Sequence, residues 1–268
     1  MKSSPLIFVK LGGAAITNKS RARTALPKNI ENLVQQIAKA YSEIPDMHLV
    51  LGHGSGSFGH FSGQTYDTRN GVSSPKDWLG FAEVWDDARQ LNELVIHAFL
   101  DAGLPVMAFP PSTWVITQHR KPISFFEEPI RNALQHNLIP VVNGDVIFDR
   151  AIGGTILSTE EIFSLLADEL HPDQIILASR EPGVWQDFPT NTQLAESLTP
   201  RQYAETSASV QGSVGMDVTG GMAKKVAIMM DVLQRQPKTR ITITSGLDDH
   251  SVYDALIGGP SGTLLHSE

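Results

Sequence analysis

The stretch HGSGSFGH (53–60) sets Gly54, Gly56 and Gly59 in the spacing G-x-G-x-x-G, with Ser55 inside it and His60 closing it. Two further glycine elements carry cations. VKLGGAAITNK (9–19) puts Lys10 before Gly12 and Gly13 and Lys19 after them. DVTGGMAKKV (217–226) sets Lys224 and Lys225 just beyond Gly220 and Gly221. Glycines without a Cβ let backbone N–H groups approach phosphate oxygens, and a helix N-terminus adds unpaired N–H groups and a favourable dipole. Each element alone has an ordinary explanation. The first is a glycine-rich strand-to-helix turn, the second a strand lysine that snorkels or meets a core carboxylate, the third a pair of solvated helix lysines. All three in one chain point to an anion site that handles phosphate groups.

Several other chemistries drop out. A dinucleotide fingerprint wants an acidic residue roughly 20 positions on, closing a second strand. Here SSPKDWLGF (73–81) opens a helix instead, and Asp77 falls within it. HRD and DFG are absent, which removes the protein-kinase use of the same glycine spacing, and no Walker A, HExxH or G-x-S-x-G run occurs. With no cysteine, disulfides, thiolate metal sites and cysteine nucleophiles are excluded. The net charge of −8, from 21 basic and 29 acidic residues, argues against a nucleic-acid partner, so any anion must be met by locally gathered lysines. No apolar run approaches the roughly 20 residues that span a bilayer, and Lys10 interrupts the apolar stretch near the start. A cytoplasmic protein without a membrane partner is expected.

The elements that must position these residues alternate between two periods. LIFVKL (6–11), HLVLG (48–52), PVMAF (105–109), IPVVNG (139–144), QIILAS (174–179) and RITITSG (240–246) read as strands. Between them, helical spacing relates Ile30, Leu33, Val34, Ile37, Ala38 and Tyr41, and again Leu91, Leu94, Val95, Ala98 and Phe99 in a long helix from about Pro75 to Asp101. Shorter helices are expected near 126–136, near 159–170 and around Val226 to Leu233, a hairpin over 144–154, and a loop-like region over 185–216. This alternation predicts a single α/β domain with a mainly parallel sheet, whose ligands gather at the carboxyl ends of the strands.

KLGGAAITNK, HGSGSFGH, GDV (144–146) and DVTGGMAKK, in this order, resemble the amino acid kinase family, and the likeness runs on to GPSGTLL (259–265). The resemblance implies a three-layer α/β/α sandwich that transfers the γ-phosphoryl group of ATP to a carboxylate, carbamate or phosphate. It implies one domain over 1–268, with an acceptor-binding part about 1–178 and a nucleotide-binding part about 179–268. Within the family, the run ending in His60 is similar to that of isopentenyl phosphate kinases, which implies isopentenyl phosphate as acceptor.

By that resemblance Lys10 and Lys19 meet the γ-phosphate, and Gly12, Gly13 and Gly56 approach the ATP phosphates. Gly54, Ser55 and His60 face the acceptor, Asp145 organises the lysines, and Gly221 and Lys225 serve the nucleotide side. Three departures from the family pattern stand out. Ala14 stands where a serine is usual, STEEI (158–162) replaces SGDDI and brings Thr159 to the acceptor side, and Arg180 stands where an aspartate normally contacts the nucleotide. Mg²⁺ is expected to bind through the nucleotide phosphates with no protein metal cage, and a homodimer is expected because it is common among similar proteins. Phe81, Val84 and Trp85 share a helical face beyond His60, which reads either as the wall of a prenyl pocket or as ordinary core. A fosfomycin kinase-like enzyme and a non-catalytic nucleotide or phosphate sensor remain as alternatives.

Overall fold

The computed structural model describes residues 4–209 and 220–267. In chain order the elements are β1 (Leu6–Leu11), α1 (Gly13–Ile16), α2 (Pro27–Glu43), β2 (His48–His53), α3 (Gly56–Thr65), α4 (Pro75–Asp101), β3 (Val106–Ala108), β4 (Val115–Gln118), β5 (Lys121–Phe125), α5 (Glu128–Gln135) and β6 (Ile139–Asn143). There follow β7 (Asp145–Asp149), β8 (Gly153–Leu157), α6 (Thr159–Leu170), β9 (Gln174–Ser179), β10 (Ser197–Leu198), α7 (Pro200–Ser209), α8 (Gly220–Arg235), β11 (Arg240–Ser245), α9 (Ser251–Leu256) and β12 (Thr263–Leu265). A 3-10 turn, Thr68–Asn70, lies between α3 and α4.

Eight strands form the main sheet in the order β10-β12-β11-β9-β1-β2-β6-β3. Every neighbouring pair is parallel except β11 with β12. Strand side chains alternate between faces, and β1 shows the result. Ile7, Val9 and Leu11 join a core with Leu33 of α2, Leu91 of α4 and Val252 of α9. Phe8 points the other way, into a core with Phe163 of α6 and Met229 of α8, its ring centroid 5.1 Å from that of Phe163. Helices therefore cover both faces, and the fold is the expected three-layer α/β/α sandwich. Lys10 shares the parity of Phe8, so it is directed toward α6.

A smaller sheet, β5-β4-β7-β8, continues from β6 through Gly144. Its β7–β8 hairpin matches the expectation for 144–154, but the β4–β5 hairpin was not legible, because β5 is exposed along nearly its whole length and shows no apolar alternation. The region over 185–216, read as loop-like, contains β10 and the whole of α7. Asp77 is the N3 residue of a capping box with Ser74 at the start of α4, which accounts for it without a ligand. No described helix is long and apolar enough to cross a membrane.

The turns that follow β1 and β2 are packed back to back through glycine. A Cβ on Gly13 would lie 2.6 Å from the Gly56 nitrogen, and one on Gly54 would lie 3.0 Å from the Gly13 nitrogen. Gly56 has φ +51°, and a Cβ there would stand 2.2 Å from Thr17 Oγ1. That hydroxyl donates to the Gly13 carbonyl at 2.6 Å and accepts from the Ser57 N–H at 2.9 Å, so it stitches the two turns together. Gly56→Ala is expected to destabilise the protein by about 2–4 kcal/mol, combining left-handed strain with overpacking. Gly103→Ala, also left-handed (φ +81°) but facing open space, should cost only about 1 kcal/mol. Chemical denaturation of both variants checks this, and equal losses would mean that the juncture tolerates the methyl group.

Candidate active site

Lys10 lies almost fully buried beneath the glycine juncture, with Nζ 3.9 Å from where a Gly54 Cβ would stand. Its partner is Glu160, at 3.0 Å between Nζ and Oε1, and both side chains are shut off from solvent. Glu160 is the second residue of α6, where a helix N-terminus favours a carboxylate. Burial pushes the Glu160 carboxyl up, but Lys10 and then Lys225 outweigh it and hold the group below its ordinary value. Lys225, in the second turn of α8, donates from Nζ to Ser179 Oγ at 2.9 Å at the end of β9. Burial, with the nearby charge of Lys10, pushes Lys225 down to about 8, while Glu160 partly opposes the fall. Lys19 is exposed and close enough to Lys225 to depress it further. Lys10 and Lys225 thus gather around one carboxylate at the carboxyl ends of β1 and β9, with Lys19 near Lys225. That excess of positive charge is what a polyphosphate requires.

The backbone around these lysines is equally constrained. The Gly12 N–H donates to the Ala178 carbonyl at 2.7 Å, and a Cβ on Gly12 would stand 2.5 Å from that same oxygen, so glycine permits the end of β1 to close on β9. Ala14 is half-buried in α1, Arg180 is exposed just past β9, and Gly221 is exposed in the first turn of α8. Asp217, Val218 and Thr219 of the third glycine motif lie outside the described residues.

A cleft of about 420 Å³ opens beside the juncture, lined by Gly54, Ser55, His60, Arg69, Ile156 and Thr159 among others. The two histidines of HGSGSFGH have opposite fates. His53 is fully buried, with Nε2 2.9 Å from Asn92 Oδ1, and burial pushes it below its ordinary value. His60 is exposed to the cleft, with Nε2 3.1 Å from Gln64 Nε2. The Thr159 hydroxyl donates to the His53 carbonyl at 2.6 Å, so this side chain ties α6 to β2 and its one donor is already engaged.

Two expectations need correction. Trp85 does not share the buried face of Phe81 and Val84; it is 39% exposed and lies 5.8 Å from the Arg89 guanidinium. Phe81 and Val84 pack with Val72 and Val146, and Ile156 packs on that cluster, so they support the cleft from behind Ile156. Asp145, expected to organise the lysines, forms no ion pair with a lysine among the described residues. It is buried and accepts from the Val146 N–H at 2.8 Å and more distantly from the Ser112 N–H at 3.4 Å, while Glu160 takes Lys10. The signal for Glu160 was present in STEEI, but a carboxylate at a helix start reads equally well as a cap. Arg69 on the cleft wall was not anticipated. Among the described residues, no group of three or more His, Asp or Glu side chains is placed to hold a metal ion.

The model of the amino acid kinase family matches residues 5–244, and the chain belongs to this family. An isopentenyl phosphate kinase of Methanocaldococcus jannaschii is 28% identical over 269 residues, covering 97% of this chain and 98% of that protein. An isopentenyl phosphate kinase of Thermoplasma acidophilum is 29% identical over 262 residues, covering 97% and 100%. Among solved structures, an isopentenyl phosphate kinase superposes with a TM-score of 0.81 at 25% identity, covering 97% of this chain and 99% of that one. The carbamate kinase of Giardia lamblia bound to AMP-PNP shares the fold, with a TM-score of 0.72 at 16% identity and full coverage of both chains. The chain is therefore a kinase whose relatives include isopentenyl phosphate kinases.

Burial pushes the Asp145 carboxyl from its ordinary 3.8 up to about 6. Its ionised form is thus less favourable in the folded state. The unfolded chain releases this proton first as pH rises from about 4 to 6, so stability falls across that window and then stays lower, by roughly 3 kcal/mol. Asp145→Asn, which retains an acceptor for the Val146 N–H, removes the penalty. The variant should match the wild type near pH 4 and exceed it by about 1–3 kcal/mol at pH 7. A stability difference that does not change with pH would contradict this.

Proposed function

We propose that the chain transfers the γ-phosphoryl group of ATP to isopentenyl phosphate, giving isopentenyl diphosphate and ADP. The observation that carries the reading is the position of His60 on a cleft that opens directly beside the glycine juncture over Lys10. The likeness to isopentenyl phosphate kinases along almost the whole chain supports it. An oxygen of the acceptor phosphate attacks the γ-phosphorus as the bond from that phosphorus to the β-bridging oxygen breaks, and ADP leaves with the electron pair. A phosphate is already an anionic nucleophile near neutral pH, so no general base is required. Catalysis then consists of positioning and charge neutralisation.

In this reading Lys10, Lys19 and Lys225 offset the charge of the transferring group, and the N–H groups of Gly12, Gly13 and Gly56 approach the ATP phosphates. Ser55 and His60 orient the acceptor phosphate, and histidine donates a hydrogen bond whether neutral or protonated. Ala14, Arg180 and Gly221 belong to the nucleotide side. Ile156, backed by Phe81 and Val84, offers apolar surface to a short prenyl tail. Among the described residues no carboxylate cage is formed, so Mg²⁺ would be held by the nucleotide phosphates and would supply further charge neutralisation there. The proposal includes the division into acceptor and nucleotide parts near residue 178, a homodimer and a cytoplasmic setting.

An ADP-release assay with isopentenyl phosphate, dimethylallyl phosphate and fosfomycin side by side tests it. Isopentenyl phosphate should give the highest kcat/KM. His60→Ala should reduce that value by about 100-fold or more with the fold intact, and His60→Gln should retain more activity than His60→Ala. A preference for fosfomycin, or an alanine variant as active as the wild type, would refute the assignment.

A further inference from the structure

Among the described residues that line the cleft, Arg69 is the one lysine or arginine. The other formal charges there are the carboxylates Asp67 and Glu160, and Glu160 is neutralised by Lys10. A phosphate entering the cleft would otherwise meet the imidazole of His60 and an uncompensated aspartate.

Arg69 is also built into place. Its carbonyl accepts from Thr155 Oγ1 on β8 at 2.8 Å, which fixes the 3-10 turn against the small sheet. Its Nη2 donates to Glu161 Oε1 at 2.9 Å. Glu161 is itself held: its Oε2 accepts from the Ser158 N–H at 2.6 Å in the capping box of α6, and its Oε1 also accepts from Lys224 Nζ on α8 at 3.1 Å. Burial pushes the Glu161 carboxyl up, but the Ser158 N–H, Arg69 and Lys224 bring it below its ordinary value, so the clamp stays ionised near neutral pH. With Nη2 on Glu161 and the side chain 38% exposed, the remaining guanidinium donors are available for a second anion.

We propose that Arg69 contacts the phosphate group of the acceptor, opposite His60, and that Glu161 is its positioning residue. This rests on the phosphate-acceptor reading above. One carboxylate would then tie the cation of the acceptor cleft to the helix that carries Lys225, and the adjacent carboxylate, Glu160, holds Lys10. The tandem Glu160–Glu161 sets both sides of the transfer from a single helix start.

The test combines initial-rate kinetics with calorimetric binding of isopentenyl phosphate, for the wild type, Arg69→Ala, Arg69→Lys and Glu161→Gln, with thermal unfolding as a control for folding. Arg69→Ala should raise the acceptor KM and Kd about 10- to 100-fold while the KM for ATP moves less than about twofold, and Arg69→Lys should recover part of the loss. Glu161→Gln keeps the cap but not the charge, and should raise the acceptor KM several-fold. An acceptor KM and Kd unchanged in Arg69→Ala, or equal rises for both substrates, would overturn the inference while leaving the proposed function standing. A wild type inactive on isopentenyl phosphate would refute the proposed acceptor. Binding of inorganic phosphate then decides the role of Arg69, because the inference requires Arg69→Ala to weaken it. A wild type that binds no inorganic phosphate overturns both.

Discussion

The buried pair of Lys10 and Glu160 is the interaction on which the site depends. An ammonium and a carboxylate removed from water each lose several kcal/mol of hydration, and mutual attraction recovers this only when geometry is tight and other partners assist. The fold supplies those conditions. Lys10 cannot leave because β1 is hydrogen-bonded between β2 and β9. Glu160 cannot leave because α6 is capped by Ser158 and tied to β2 through Thr159. Gly54, which stands above the ammonium, has no side chain, so the ammonium lies close under backbone there. A hydrophobic pair would be at least as stable in that position. What it would lack is a fixed positive charge at the end of the sheet.

The same helix start organises the rest of the charge. Glu160 faces inward to Lys10, with Lys225 close enough to feel it, and Glu161 faces the cleft, where it joins Arg69 to Lys224. Lys225 is brought down to about 8 chiefly by burial, with the charges of Lys10 and Lys19 crowding it further. A polyanion relieves that crowding, and binding energy so obtained is available for orienting the transferring group.

Much of this was legible in the sequence, for identifiable reasons. Strand and helix periods are strong where one face is buried, so β1, β2, β3, β6, β9 and β11 and the helices α2, α4, α6 and α8 followed from apolar spacing, whereas the short β10, β12 and α9 did not. The β4–β5 hairpin did not, since exposed strands carry no such pattern. Lysine beside glycine at a strand end singled out Lys10, Gly12 and Gly13, because a charged residue inside an apolar strand is costly without a purpose, whereas Lys225 stood out only by the family resemblance at a glycine-led helix start. The carboxylate partner was not legible. Asp145 and Glu160 both follow strands and both lie near glycines, and only the three-dimensional packing shows that α6, not β7, faces Lys10. Trp85 failed for a different reason: helical spacing places Phe81, Val84 and Trp85 on one face, but the helix rotates that face so that its edge meets solvent. Arg69 lies in a short turn, where no periodicity relates a residue to the site.

The most direct test of the central pair is the turnover of Glu160→Gln beside Glu160→Asp, both first shown to be folded by thermal unfolding. Glu160→Gln is nearly isosteric but leaves the Lys10 ammonium without its counter-charge, whereas Glu160→Asp keeps the charge on a shorter arm. The expected result is a kcat lower by about 100-fold or more in Glu160→Gln and by less than about 10-fold in Glu160→Asp. A folded Glu160→Gln variant with wild-type kcat would show that Lys10 is positioned without its carboxylate, contradicting the dependence of the site on this pair.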